Sequence, residues 1–150
     1  MVNIKENLWI FALVGGVIGI IAFFTPPWTF AGSNVWLWNL YTGPYGTGFI
    51  DTEEVIFYLG LVSTIFLVIG FVSLLVTAIL SRLKDRNFNI IWIVGGILSA
   101  ISPIIYLAGS AVEYSSIWQY YTVSSSLILP FIAAWFGIFA GIQGILKKRE

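Results

Sequence analysis

The seven Lys and Arg residues of this 150-residue chain are confined to one side of four long apolar runs. Lys5 precedes the first run, Arg82, Lys84 and Arg86 lie between the second and third, and Lys147, Lys148 and Arg149 follow the fourth. The two remaining connections, Thr25 to Glu54 and Ser110 to Ser124, hold no Lys or Arg. Cations near membrane spans stay on the cytoplasmic side, so the pattern predicts a four-pass protein of the cell membrane with both termini cytoplasmic. Two segments, one long and one shorter, then face outward.

Composition agrees with that plan. The chain is 59% hydrophobic and 9% charged, and its mean hydropathy is +0.95, far from soluble averages. Four spans of about 20 residues consume most of it, so a single membrane domain over residues 1–150 is expected. The net charge is zero, but the two sides differ. Glu6, Asp85 and Glu150 accompany the cations, whereas the outer side carries only the acids Asp51, Glu53, Glu54 and Glu113. The basic tail 147–149 suits anionic lipid headgroups, and no nucleic-acid partner is expected. The first run follows Lys5 in the manner of a signal peptide, but it is too long for one and ends in Pro26-Pro27-Trp28; it reads as a retained helix.

Helices are expected over about 8–24, 53–80, 89–109 and 125–146, with outer loops 25–52 and 110–124. The first stops at Thr25-Pro26-Pro27 because proline lacks the N–H that would continue it. Asp51-Thr52-Glu53-Glu54 has the spacing of a capping box opening the second. The same acids have oxygen ligands for a divalent cation, but the helix start already accounts for them. The short link from Ser81 to Phe88 makes the second and third helices an antiparallel hairpin. Pro103 is expected to bend the third helix, and Pro130 the fourth near its outer end.

Chemistry is sparsely provided. The chain has no Cys and no His, which removes disulfides, thiol chemistry and the commonest general base. No ionisable residue falls in the middle of a span, as proton relays and coupled transporters require. No nucleophile–base pair, phosphate-cradling loop or metal-ligand spacing occurs, so no enzyme activity and no cofactor are expected.

Two other patterns are present. Small residues recur at helical spacing: Gly15 with Gly19, Gly95 with Ser99, Gly96 with Ala100, and Ala133, Gly137 and Gly141 as a ladder in the fourth helix. Such ridges let backbones approach closely in lipid, either inside one bundle or between molecules. Trp9 and Trp92 are placed at the inner interface as belt residues. The outer side gathers all seven tyrosines, Tyr106 among them at an outer helix end, with Trp28, Trp36, Trp38 and Trp118. Of these, Trp28, Trp36, Trp38, Tyr41, Tyr45, Trp118, Tyr120 and Tyr121 are candidates either for packing the loops or for contact with another protein. Val35 to Tyr41 has strand composition, residues 42–46 supply a turn, and Thr47 to Ile50 returns, so a small outer hairpin or sheet should cap the bundle. Alternation within that strand would put the Trp36 and Trp38 rings on one buried face.

Pro27-Trp28, Gly32-Ser33-Asn34 and Trp36-Leu37-Trp38-Asn39-Leu40 together resemble the first extracellular segment of the claudin and peripheral-myelin-protein superfamily. In that family a Trp soon after the first helix is followed by a Trp–Gly–Leu–Trp signature in an outer β-sheet, and Trp36 and Trp38 match the signature tryptophans. The family carries two disulfide-bonded cysteines in this segment, where this chain has none, and the Trp pair is spaced more tightly here. The resemblance implies side-by-side self-association and adhesion or barrier formation through the outer loops. The expected function is therefore non-enzymatic association, with itself or as a small subunit of a larger membrane complex. The alternative is an oligomeric channel or permease with an acidic outer vestibule.

The topology is directly testable. Cysteines placed at Ser33, Gly46 and Ser116 should react with a membrane-impermeant thiol reagent on intact cells, and one at Ser81 should not. The reverse pattern would invert the protein in the membrane.

Overall fold

The computed structural model describes residues 7–30, 33–44, 46–49, 55–84, 86, 88–113 and 122–147. Helix α1 spans Leu8–Phe24, α2 Val55–Lys84, α3 Asn89–Glu113 and α4 Leu129–Lys147. Between α1 and α2 lie four strands: β1 Trp28–Phe30, β2 Ser33–Val35, β3 Leu40–Gly43 and β4 Gly46–Phe49. A fifth, β5 Thr122–Val123, precedes a 3-10 turn at Ser125–Leu127 and then α4. Three helices are long and apolar enough to cross a membrane: 57–84 within α2, 89–111 within α3, and α4. The fourth, α1, is a shorter apolar helix of 17 residues, which rises about 26 Å.

Each helix packs on its neighbours in chain order and α4 closes on α1, giving a square four-helix bundle whose diagonals scarcely touch. Every glycine in the four helices is buried. A methyl added at Gly15 would lie 2.8 Å from the Ala133 carbonyl oxygen of α4, and one at Gly96 2.8 Å from that of Ala134. One at Gly95 would lie 3.0 Å from the Gly70 carbonyl of α2, and one at Gly137 2.9 Å from the Trp92 carbonyl of α3. Gly19 faces Phe71 of α2, and Gly141 faces Asn89 and Ile93 of α3. Gly15, Gly19, Gly95, Gly96, Ala133, Gly137 and Gly141 thus all occupy seams within the molecule.

Several serine and threonine side chains inside the bundle turn to backbone carbonyls. Ser63 Oγ donates to the Ser102 carbonyl across α2 and α3 at 2.7 Å, and Ser99 Oγ to Gly95 of the preceding turn at 3.0 Å. Ser73 donates to Gly70 at 2.7 Å, and Thr77 donates to Ser73. The hydroxyls are accommodated without ionisable partners.

Two expectations about aromatic residues are corrected here. Trp92 is not an interface residue: it is fully buried in one core cluster with Leu8, Ala12, Leu74, Ala78 and Ala140. Ala140 of α4 belongs to the same cluster, and Gly137 lets α4 approach the Trp92 backbone carbonyl. Tyr106 likewise lies fully buried in the second cluster, with Ala22, Trp28, Leu37, Leu67 and Leu127.

Element ends also shift. α3 continues to Glu113 rather than stopping at Gly109, because Gly109 packs tightly on Leu59 of α2. α4 begins at Leu129, so Pro130 sits in its first turn, where a missing N–H costs nothing, and does not bend the helix. The capping box at 51–54 lies outside the described residues. Ser81 is buried, so a cysteine there would be silent on either side of a membrane; the exposed Arg86 is the informative position at that end.

The fit at Gly137 sets a stability prediction. Gly137→Leu would drive a branched side chain into the Leu74 side chain and the Trp92 carbonyl. It should lower the thermal midpoint and expression, with a loss of about 1–3 kcal/mol or more in reversible unfolding. Unchanged stability would show that this face meets only lipid.

Candidate contact surface at the sheet end of the bundle

The five strands form one antiparallel sheet in the order β4-β3-β2-β1-β5. The expected hairpin turn is present: Gly43 pairs with Gly46 across Pro44-Tyr45. Gly46 takes φ +139, a conformation open to glycine and strained for other residues. β5 pairs with β1 at Trp28↔Val123 and Thr29↔Thr122, and the Ser124 N–H donates to the Pro27 carbonyl at 2.8 Å. The segment before α4 therefore ties into the sheet formed after α1. Two matched residues are too few to leave an alternating pattern in the sequence, and this strand was not expected.

The expected strand from Val35 to Tyr41 is broken. β2 ends at Val35 and β3 starts at Leu40, with a tight turn between them. The Trp36 N–H donates to the Leu40 carbonyl at 2.8 Å and the Asn39 N–H to the Trp36 carbonyl at 3.0 Å. Asn39 takes φ 64, which its short amide side chain tolerates better than a branched or bulky one. Strand alternation is consequently not what brings the tryptophans together; the turn does, with ring centroids 6.1 Å apart. Leu37 is the residue driven fully into the core, while Trp36 and Trp38 remain half-buried.

This turn fastens the sheet to the helices at several points. Asn39 Nδ2 donates to the Phe57 carbonyl in the first turns of α2 at 2.8 Å. Trp36 Nε1 donates to the Phe24 carbonyl at the end of α1 at 3.1 Å. Trp38 stacks on Phe23 of α1 at 6.2 Å and 16°. Gly60 of α2 receives the turn: a methyl there would meet the Asn39 amide and come within 3.0 Å of the Leu37 carbonyl. Trp28 is buried in the same core cluster as Leu37.

The candidate aromatics thus divide. Trp28, Trp36 and Trp38 hold the sheet on the bundle, and Tyr41 is exposed on β3. Tyr45, Trp118, Tyr120 and Tyr121 lie outside the described residues, as do the acids 51–54. Phe49, not singled out from the sequence, is 66% exposed at the end of β4. Tyr58 projects from α2 near the same end of the bundle, also exposed. β4 forms one edge of the sheet, with Gly46, Thr47 and Phe49 all exposed. From Pro26 to Ile50 the chain holds no charged residue. The sheet edge therefore offers backbone hydrogen-bonding groups, hydroxyls and aromatic rings without a lysine to blunt it.

The sequence matches no protein-family model and no curated protein.

Asn39 and Gly60 set the strength of the clamp. Gly60→Ala should displace the Trp36–Asn39 turn. Asn39→Ala should remove the Phe57 contact and cost about 1–3 kcal/mol of stability. Both should raise protease cleavage in residues 28–49 and increase Trp36 and Trp38 fluorescence quenching by aqueous quenchers. Unaltered cleavage in both variants would show that the turn does not hold the sheet.

Proposed function

We propose that this chain is a non-enzymatic, four-pass protein of the cell membrane that works by association through its outer sheet, with both termini cytoplasmic. The carrying observation is the β4 edge, open among the described residues, with Tyr41 and Phe49 exposed beside it in an uncharged stretch and the sheet held in place by the Asn39 turn. The glycine ridges are occupied within the bundle, so the sheet edge rather than a glycine seam is the surface this reading assigns to a second copy or a neighbouring membrane subunit. An unprotected edge strand is a template for pairing with another chain. The confinement of cations to the opposite end supports the orientation.

The likeness to the claudin and peripheral-myelin-protein superfamily supports the same reading: a tryptophan-bearing first outer segment folds as a sheet over four helices. The disulfide that this family uses is absent here. The Trp36 and Asn39 hydrogen bonds and the Trp38 stack brace the segment in its place.

Because the chain is free of cysteine, one introduced thiol reports cleanly. Thr47→Cys should give an oxidised dimer in membranes, or an adduct of different mass if another subunit is the partner, whereas Val76→Cys on the exposed face of α2 should not. Adding Phe49→Asp should abolish the adduct while leaving thermal stability within about 0.5 kcal/mol, as for an exposed site. A dimer equally strong through Val76→Cys, or indifferent to Phe49→Asp, would refute association through the sheet.

A further inference from the structure

The seam between α1 and α2 keeps one character along most of its length and changes at the end away from the sheet. On α2 the residues turned toward α1 are Phe71, Leu75, Ala78 and Arg82; on α1 they are Gly19, Gly16, Ala12 and Trp9. Phe71 packs on Gly19 and Leu75 on Gly16, and Ala78 and Ala12 share a core cluster. This close approach carries Arg82, one turn further, over the Trp9 ring, with its guanidinium carbon 5.9 Å from the ring centroid. A cation–π contact of a guanidinium with a ring face uses none of its N–H groups as hydrogen-bond donors to an oxygen, so they can serve a second partner.

The surroundings define that partner's chemistry. Arg82 is exposed, and beside it Ile79 and Leu83 are exposed on α2, Leu83 to 75%. Ile10 is exposed next to Trp9 on α1. In sequence Lys84, Asp85 and Arg86 follow, so this link carries three cations, Arg82, Lys84 and Arg86, against one acid. A planar cationic fork at the rim of an apolar surface matches a ligand with a phosphodiester head and hydrocarbon chains.

We propose that Arg82, positioned by Trp9 at the α1–α2 junction, forms a binding site for the headgroup of an anionic phospholipid, whose acyl chains lie along Ile79, Leu83 and Ile10. Trp9 acts as a positioning residue and Arg82 as the phosphate contact. The site rests on the reading of this end as one that meets a bilayer interface.

The test uses the full chain in detergent, titrated with phosphatidylglycerol or phosphatidylcholine of identical acyl chains, and read by native mass spectrometry and thermal midpoint. The wild type should retain phosphatidylglycerol preferentially and gain thermal midpoint from it. Arg82→Gln should weaken that preference about tenfold, the loss of one charge-assisted contact, while Arg86→Gln should keep it. Arg82→Lys, with the charge but not the fork, should fall between them, and supplies the readout if Arg82→Gln expresses poorly. Trp9→Leu should reduce the preference severalfold with Arg82 still present. Equal losses in Arg82→Gln and Arg86→Gln would mean diffuse charge attraction and overturn the site. A thermal loss in Arg82→Gln that is the same with and without phosphatidylglycerol would also overturn it, since a residue serving only the α2 dipole behaves that way. Displacement of the lipid by inorganic phosphate alone would overturn the assignment to a lipid. Lipid retention in detergent is independent of orientation in the cell, so labelling of Arg86→Cys can fail while the site stands, and the reverse.

Discussion

Backbone contact through glycine is the constraint on which this bundle depends. In a hydrocarbon solvent, apolar side chains gain nothing by leaving lipid for one another, so helices must be held by packing and polar contacts. Each glycine sacrifices about 1 kcal/mol of helix propensity relative to alanine. Close heavy-atom pairs return only about 0.1–0.2 kcal/mol each. A glycine therefore needs on the order of five to ten additional contacts to offset its own cost. The burial of every helical glycine is what that balance requires. Gly15, Gly96 and Gly137 each bring a neighbouring helix's carbonyl oxygen within reach of where a methyl would stand. Gly16 and Gly19 accept the larger Leu75 and Phe71, and a knob set into a glycine gap fixes register as well as distance.

Register then reaches the sheet. The carbonyls of Phe24 and Phe57, at neighbouring ends of α1 and α2, accept the Trp36 indole and the Asn39 amide respectively. If α1 and α2 slid past one another, those acceptors would separate and the turn would lose one of its two hydrogen bonds. The seam at Gly16 and Gly19 therefore acts on the sheet segment through the spacing of two helix ends. The strand pairing of β5 with β1 adds a third attachment, from the chain entering α4. Three helices thus determine the placement of a sheet that has no disulfide of its own.

The helices were legible because their signal is long and redundant. Leu8–Phe24 matches the expected first helix, since Thr25-Pro26-Pro27 stops it unambiguously. The Gly43–Gly46 hairpin was legible because Pro44 fixes its own φ while Gly46 can take the φ of +139 that other residues resist. What was hidden depends on partners distant in sequence. Trp92 and Tyr106 look like belt residues because aromatic residues near span ends usually are; their burial depends on core partners from other helices, such as Leu8 and Ala140 for Trp92 and Ala22 and Leu67 for Tyr106. β5 exists because β1 offers it an edge. The Trp36–Asn39 turn was mistaken for strand because β-branched and aromatic content outweighed the one residue able to reverse the chain, Asn39. Gly60 gave a weak hint: a glycine facing the interior near a helix start marks a close approach, and here the approaching group is that turn.

The outward surfaces follow from the same allocation. With the glycines turned inward, the exposed helix positions are filled by residues such as Val14, Val17, Ile21, Ile65, Ile69, Val72, Val76, Ile97 and Ile142. β-branched side chains hold few rotamers in a helix and present a stiff, uniform apolar surface. Such a surface suits disordered acyl chains and offers a second helix no groove for close backbone approach. Any specific contact must then arise where this uniformity ends. Apart from Phe131 and Trp135, exposed on α4, it ends at two places: the uncharged sheet edge with Thr47 and Phe49, and the opposite rim, where Trp9 and Arg82 terminate the α1–α2 seam. The chemistry available at the two is complementary to different ligands. A strand edge satisfies another backbone, whereas a guanidinium held over a ring satisfies a phosphate. The small-residue seams leave both ends free for such contacts because they close the four helices on one another.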